Sequence, residues 1–470
     1  MLFSSTVFLY LFLPAVVLVY YTVLRKSRLL QNVFLLAASL VFYAWGEPGF
    51  VLVMMASILV NWLCALLVDR SREKKGTAKG ILVFAVCFNL GLLFVFKYLN
   101  FAGTLLQDLT GIDLRIPPIA LPIGISFFTF QALSYVIDVY RQEGLVQTNL
   151  LDVGLYISFF PQLIAGPIVR YETIAREIRG RRETAEDFFE GFSRFAAGLA
   201  KKVLLANSFA VLADQAFNTV GSGAGISVLF GWLGAVAYTF QIFFDFSGYS
   251  DMAIGMGRMF GFHFPENFRD PYISTSVTEF WRRWHISLGS WFRDYVYIPL
   301  GGSRCGRGRN YLNLFVVWAL TGIWHGANLT FLVWGLLYFL LLVAEKAAGI
   351  PRAKRGGALR WLLTMFFVVI GWVIFRAESL AHAVSYLRAM FGLSGQPLLD
   401  GMFTGWFSQN VILLAVGALL CTPLVREFFE KTKEKPAVNV LRLATLCALF
   451  VLSVASLVSN SYNPFIYFNF

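Results

Sequence analysis

Apolar blocks of membrane-spanning length recur along this chain of 470 residues, and they constrain its fold more than any other feature. A single helix needs about 20 predominantly apolar residues to cross a bilayer. Hydrophobic residues make up 58% of the chain and charged residues only 14%, whereas soluble domains carry about 25% charged residues. The short alternating strands of a transmembrane barrel do not occur in the sequence. These observations predict a polytopic, all-α membrane protein.

The basic residues between these blocks predict the topology, because loops that stay in the cytoplasm are enriched in Lys and Arg. The first block, Thr6–Leu24, has no basic region before it and is predicted to be a retained span rather than a cleaved leader. Arg25–Arg28 follows it and predicts an outside N-terminus, while Asp69–Lys79 and Arg352–Arg360 indicate inner loops. We expect about eleven spanning helices plus re-entrant or interfacial pieces, in one membrane domain over residues 1–470.

Composition also limits the ligands that this chain is expected to hold. The formal net charge is +12, but the cations lie mostly in short loops, so topology control explains them and nucleic-acid binding is not predicted. The five cysteines include no pair with metal-ligand spacing. We therefore expect neither a metal site nor a tightly bound cofactor.

Two irregular stretches indicate a polar interior in the membrane domain. Tyr156–Ile168 contains two prolines, one of them in a Gly-Pro pair, and predicts a broken or re-entrant segment that is buried in protein. Phe188–Leu212 carries Lys201 and Lys202 in its middle. Adjacent lysines argue against a lipid-exposed span, so we expect this helix to face a cavity or an interface.

The stretch from Phe280 to Gly302 is unusual because it is rich in both aromatic and charged residues. At helical spacing, one face of a single helix would carry Trp281, Trp284, His285, Leu288 and Phe292. Such a helix is poorly suited to cross lipid by itself. We expect it to lie at an interface or to line a polar funnel.

His325 lies inside a run that is otherwise apolar from Leu312 to Val343. An ionisable side chain at membrane depth costs free energy, so it tends to be kept where it lines a cavity or performs chemistry. We expect Tyr311–His325 to enter the membrane, with a kink before the run continues at Leu329–Val343. The alternative is a histidine that only hydrogen-bonds a neighbouring helix.

Four long motifs surround His285 and His325: Arg282–Leu288, Trp291–Tyr295, Ile298–Gly302 and Thr321–Gly326. These motifs resemble the membrane-bound O-acyltransferase superfamily, and most closely its bacterial alginate O-acetyltransferase branch. The motifs typical of the branch are Phe159–Arg170, Phe243–Asp251 and Asn463–Phe470. The resemblance therefore spans nearly the whole chain.

This resemblance implies a ring of membrane helices around a central funnel or tunnel, through which an acyl group from a cytoplasmic donor reaches a catalytic histidine. His325 matches the family's essential histidine, and His285 matches its second polar position. The chemistry of these residues agrees, because moving an acetyl group from a thioester to a hydroxyl needs a base whose pKa lies near neutrality. Burial favours the neutral imidazole, which can accept a proton.

We therefore predict that His325 is the general base on the acceptor hydroxyl, with an acyl-histidine intermediate as the alternative. His285 would orient or polarise the donor carbonyl, or stabilise the oxyanion. The residues predicted to bind donor or substrate are Arg282, Arg283, Trp284, Arg293, Trp324 and Asp245. The arginines could instead bind lipid headgroups, the tryptophans could pack in the core, and Asp245 could pair with an arginine.

The leading hypothesis is O-acetylation of an exported or cell-surface, alginate-like polysaccharide by a multi-pass enzyme of the bacterial cytoplasmic membrane. The donor would be acetyl-coenzyme A or an acylated carrier protein. Besides membrane lipids and the polysaccharide, the expected partner is a periplasmic or extracellular acetyltransferase of the SGNH-hydrolase type that completes a relay.

Three alternatives stay open at this point. Peptidoglycan O-acetylation and D-alanyl transfer to teichoic acid belong to the same superfamily, and the branch-type motif Phe159–Arg170 argues against D-alanylation. The third is a transporter or flippase with a gating histidine. Transporters usually contain paired repeats with matching broken helices, and the sequence shows no such duplication.

Overall fold

A computed structural model describes residues 1–112, 115–350, 356–432, 434–459 and 462–466. These residues form helices joined by turns and loops, and no strand occurs among them, which confirms the all-α prediction. The chain divides into two compact units. Unit 1 consists of Met1–Phe195 and Tyr249–Pro265, and unit 2 consists of Ala196–Gly248 and Glu266–Phe470. The expectation of a single membrane domain stays a prediction.

Nineteen helices of the described residues are numbered here in chain order. The first ten are α1 Phe8–Val23, α2 Arg28–Ala44, α3 Phe50–Arg70, α4 Lys75–Thr110, α5 Ile125–Arg141, α6 Leu150–Ser158, α7 Phe160–Leu163, α8 Tyr171–Gly180, α9 Ala185–Gly221 and α10 Val228–Met259. The remaining helices, all in unit 2, are α11 Val277–Arg283, α12 Ile286–Phe292, α13 Arg307–His325, α14 Leu329–Ala347, α15 Ala358–Arg376, α16 Leu380–Met390, α17 Gly401–Leu420, α18 Leu424–Lys431 and α19 Pro436–Ser459.

Eight helices of the described residues are long and apolar enough to cross a membrane: α3, α4, α9, α10, α14, α15, α17 and α19. α1 and α2 are apolar but shorter, and α13, which ends at His325, is not among the eight. These helices indicate a multi-pass membrane protein. The count of about eleven crossings and the outside N-terminus stay predictions.

Tyr156–Ile168 forms the broken and buried segment that its prolines predict. α6 ends at Ser158, the single-turn helix α7 follows, and the chain then continues without regular structure to Arg170. Every residue from Tyr156 to Val169 is buried. Gly166 is required in this turn, because a Cβ on it would lie 2.6 Å from the Cα of Gln162. A re-entrant path within the membrane stays a prediction.

The lysine pair lies within α9, where Lys201–Ala206 forms a π-helical turn. The Lys202 side chain is buried in unit 2. The expectation that this helix faces a cavity or an interface stays a prediction. The prediction of one helix through Phe280–Gly302, in contrast, is wrong.

The chain breaks that predicted helix at His285. α11 ends at Arg283, His285 has a left-handed backbone conformation with a φ of 45°, and α12 begins at Ile286. The expected shared face from Trp281 to Phe292 therefore does not form. The break could not be predicted from the spacing of the apolar residues, because the residues on both sides of it keep a helical pattern.

Parts of two predicted features lie outside the described residues. They are residues 352–355 of the basic segment Arg352–Arg360 and residues 467–470 of the motif Asn463–Phe470. The described part of that motif is Asn463–Ile466.

Candidate active site

His325 is the last residue of α13, at the break between two helices of unit 2. Gly326 then takes an extended backbone, and the side chain of Asn328 caps the start of α14. A Cβ on Gly326 would lie 2.4 Å from the Phe331 ring, so a larger residue directly after the histidine would displace this ring. The predicted kink is confirmed, and it puts the imidazole at a helix end.

Two glycines bring α13 and α14 into close contact and so fix the surroundings of His325. A Cβ on Gly335 of α14 would lie 2.4 Å from the Trp318 carbonyl oxygen and 3.3 Å from the Cα of Gly322 in α13. Small residues allow helices in membranes to approach this closely. The approach brings Trp334 of α14 against the imidazole, with 5.0 Å between the ring centroids.

Aromatic rings surround His325 and a small cavity beside it. The imidazole makes edge contacts with Trp324, Trp334 and Phe375, at centroid separations of 5.0, 5.0 and 5.1 Å. The cavity is lined by Ile242, Phe246, Trp284, His325, Trp334, Trp372, Phe375 and Ile466. Its volume is about 20 Å³, on a scale where one water molecule needs at least about 10–15 Å³. The site therefore places one titratable group in a small apolar chamber.

His285 is buried at the turn between α11 and α12. Its Nδ1 lies 3.2 Å from Oδ1 of Asn267, and the same oxygen accepts hydrogen bonds from the backbone N–H and the hydroxyl of Ser287. Because an amide oxygen only accepts, this network assigns the proton to Nδ1 and the lone pair to Nε2. Nε2 is buried and has no hydrogen-bond partner among the described residues.

Burial lowers the pKa of His285 to about 3, because the imidazolium form loses its hydration. His285 is therefore neutral at physiological pH. With Nδ1–H directed at Asn267, the ring offers an acceptor at Nε2 and no second donor. Stabilising an oxyanion, one of the roles predicted for His285, needs a donor. This tautomer favours a role as acceptor instead.

Phe246 and Trp324 connect the surroundings of the two histidines. Phe246 lines the cavity and meets the His285 ring edge-on at 4.6 Å. The Trp324 centroid lies 6.2 Å from that of His285 and 5.0 Å from that of His325. Trp284, which precedes His285, also lines the cavity. The structure thus brings together the predicted residues His325, His285, Trp284 and Trp324.

The three predicted arginines are not in the cavity lining. Arg282 is exposed. Arg283 pairs with Glu279 at 2.9 Å, and Arg293 pairs with Asp294 at 2.6 Å. Cations at a membrane surface can contact anionic lipid headgroups or an anionic donor, and both of these roles stay predictions.

Asp245 is not in the lining either, and its charged partner is a lysine rather than the expected arginine. Its Oδ1 lies 2.7 Å from Nζ of Lys202. Its Oδ2 accepts a hydrogen bond from the backbone N–H of Ile466 at 3.0 Å. The two charged side chains are 1% and 3% exposed. Asp245 therefore contacts the backbone of one lining residue, Ile466, and directly precedes another, Phe246.

Sequence reasoning missed the roles of Asn267, Lys202 and Ile466 in this site. Opposite charges in two apolar runs are a signal that could have paired Lys202 with Asp245. Nothing in the local pattern marks Asn267, and the motif that contains Ile466 does not by itself indicate a place in the cavity wall. Among the described residues, no group of three or more His, Cys, Asp or Glu side chains could hold a metal ion.

Comparisons with known proteins agree on one family. The sequence matches the model of MBOAT, the membrane-bound O-acyltransferase family, over residues 6–381. It is 44% identical to the probable alginate O-acetylase of Pseudomonas aeruginosa over 91% of this chain and 81% of that protein. The probable alginate O-acetylase of Pseudomonas putida is 40% identical, and the match covers 100% of both chains. The peptidoglycan O-acetyltransferase of Helicobacter pylori is 31% identical over 100% of this chain and 98% of that protein.

Proposed function

The chain belongs to the membrane-bound O-acyltransferase family, and we propose that it passes an acetyl group from a cytoplasmic thioester across the membrane for O-acetylation of an exported, alginate-like polysaccharide. The observation that carries this proposal is the small apolar cavity beside the buried imidazole of His325. Relatives that match the full chain and are named as alginate O-acetylases support the choice of acceptor.

His325 is the proposed general base. The acceptor hydroxyl would give its proton to the imidazole while its oxygen attacks the carbonyl carbon of the thioester. The C–S bond then breaks, and the leaving thiolate takes up the proton. The rings of Trp324, Trp334 and Phe375 around the imidazole would exclude bulk water, which could otherwise hydrolyse the thioester. An acyl-histidine intermediate is the alternative route.

His285 is proposed to orient a substrate rather than to take its proton. A pKa of about 3 makes the imidazole a weak base at neutral pH. Nε2 can still accept a hydrogen bond from the acceptor hydroxyl or from an amide N–H of the donor. Asn267, which itself accepts hydrogen bonds from Ser287, fixes the ring orientation in which Nε2 has no hydrogen-bond partner among the described residues.

The donor is proposed to be acetyl-coenzyme A or an acylated carrier protein, with Arg282, Arg283 and Arg293 as candidate contacts for its anionic groups. We propose a location in the bacterial cytoplasmic membrane with the N-terminus outside. A periplasmic or extracellular acetyltransferase of the SGNH-hydrolase type would complete the transfer. Because family membership makes the chain an acyltransferase, a transport function is not proposed.

Peptidoglycan is the second candidate acceptor. The full-length match to the Helicobacter pylori peptidoglycan O-acetyltransferase favours it. The higher identity to alginate O-acetylases favours alginate, so peptidoglycan ranks second.

Complementation distinguishes the two acceptors. This chain is expressed in a Pseudomonas aeruginosa strain that lacks its own probable alginate O-acetylase, and ester-linked acetate is measured on alginate and on peptidoglycan. We expect acetate on alginate above the empty-vector strain. Acetate on peptidoglycan alone would favour the second candidate, and its absence from both polymers would contradict the proposed function.

A further inference from the structure

A short segment of unit 2, Tyr462–Ile466, supplies one wall of the His325 cavity. Tyr462–Phe465 has no regular secondary structure, and Ile466 is 8% exposed and lines the cavity. The other lining residues lie in α10, α13, α14 and α15 or, for Trp284, directly after α11. The place of Ile466 therefore depends on the side-chain contacts that hold its segment.

The Lys202–Asp245 ion pair holds this segment at successive residues. Asp245 accepts the backbone N–H of Ile466, and the Lys202 ammonium donates to the carbonyl oxygen of Pro464. Between them, the Phe465 ring lies 5.8 Å from the Lys202 nitrogen. The pair thus fixes the backbone on both sides of Phe465 and directs Ile466 into the cavity wall.

Further contacts fix the beginning of the segment. Asn207 donates from Nδ2 to the side-chain oxygen of Asn463 at 3.3 Å. The Tyr462 hydroxyl donates to Asp214, which also pairs with Arg376 at 2.6 Å. A buried ion pair contributes little stability compared with apolar side chains of similar size. The position of these charges is therefore better explained by the backbone geometry that they impose on Tyr462–Ile466 than by a gain in the stability of the fold.

We propose that Ile466, held by the Lys202–Asp245 pair, limits the length of the acyl group that the His325 cavity accepts. This inference rests on the proposed acyl transfer at His325. A cavity of about 20 Å³ suits a group of the size of an acetyl methyl. A longer acyl chain would have to displace a lining side chain, and Ile466 directly follows Tyr462–Phe465, a stretch without regular secondary structure.

The acyl composition of the esters tests this inference. The Pseudomonas aeruginosa strain described above expresses wild type, Ile466→Ala or the control Ile412→Ala, whose side chain is 77% exposed on α17. Cells receive acetate, propionate and butyrate, and the acids released from polysaccharide by base are quantified by gas chromatography. For Ile466→Ala we expect the ratio of longer acyl groups to acetyl to rise about tenfold or more, since one methylene in a pocket changes discrimination by roughly 10–200-fold.

The control variant should keep the wild-type ratio. An Ile466→Ala protein that makes esters with the wild-type ratio would overturn the inference. If Ile466→Ala does not accumulate in membranes, Ile466→Val removes one methylene and should shift the ratio in the same direction by a smaller factor. An unchanged ratio in Ile466→Val would then count against the inference in the same way.

The double variant Lys202→Met, Asp245→Leu tests the anchor, because it removes both charges and the hydrogen bonds to Pro464 and Ile466 and nearly keeps side-chain size. We expect its acyl ratio to move as in Ile466→Ala, whereas an ion pair that only stabilises the fold would lower the amount of ester and leave the ratio unchanged.

His325→Ala distinguishes a failure of the proposed acyl-transfer site from a failure of the inference about Ile466. Esters made by His325→Ala would overturn the proposed site, while an inactive His325→Ala beside an unchanged ratio in Ile466→Ala would overturn this inference alone.

Discussion

His285 combines an unfavourable backbone conformation with a fixed tautomer. A non-glycine residue at a φ of 45° costs on the order of 1–3 kcal/mol and persists where its surroundings determine it. Here Asn267 accepts from the imidazole, and its backbone oxygen also accepts from the N–H of Ile286. Strained residues of this kind cluster at functional sites, which supports a role for His285 beyond packing.

The lowered pKa of His285 makes a prediction about stability at acid pH. Between the ordinary histidine pKa of about 6.5 and the folded value of about 3, the unfolded chain binds more protons than the folded protein. Stability is therefore lost as the pH falls through this window, by at most about 1.4 kcal/mol per pH unit. We expect the melting temperature of the detergent-solubilised protein to fall less steeply with acid in His285→Asn than in wild type. Equal slopes for the two proteins would contradict a buried neutral imidazole.

At the scale of helices, the hairpin α13–α14 depends on the absence of a side chain at Gly335. We expect Gly335→Ala to lose about 1–3 kcal/mol through overpacking, because its Cβ would lie 2.4 Å from the Trp318 carbonyl oxygen. Acetyl transfer should fall with it, since the same contact positions Trp334 beside His325.

Gly405→Ala is the matched control for this change, because nothing lies within 4 Å of a Cβ built at Gly405 in α17. Melting temperatures of both variants in detergent provide the measurement. A Gly335→Ala protein as stable and active as Gly405→Ala would show that α13 and α14 do not pack as described.

The sequence predicts helices better than it predicts where they break. Hydrophobic blocks and the proline-containing segment Tyr156–Ile168 gave correct expectations, because both signals are local. The predicted kink between Tyr311–His325 and Leu329–Val343 is also correct. The break at His285 could not be predicted from the local sequence, because its left-handed backbone is imposed by contacts with Asn267, a residue of another segment.

Over the whole molecule, the candidate site depends on pairs of residues that lie far apart in the chain. Family motifs predicted His325 and Trp284 as site residues from local sequence alone, and both line the cavity. Asp245 contacts Ile466 across 221 positions, and no local periodicity encodes such a pairing. The contact that places Ile466 in the cavity wall could therefore not be predicted, although the motif Asn463–Phe470 that contains Ile466 is recognisable in the sequence.

The proposed role of His325 as the base for acyl transfer is tested by comparing two histidine variants. His325→Ala and the control His263→Ala, whose ring is 56% exposed beside Glu177, are expressed at equal membrane levels in the Pseudomonas aeruginosa strain that lacks its own probable alginate O-acetylase. Ester acetate per uronic acid residue is then measured on the exported alginate. We expect His263→Ala to match wild type and His325→Ala to lose about 10²–10⁴-fold, the usual contribution of a general base. Wild-type acetylation by His325→Ala would contradict the claim.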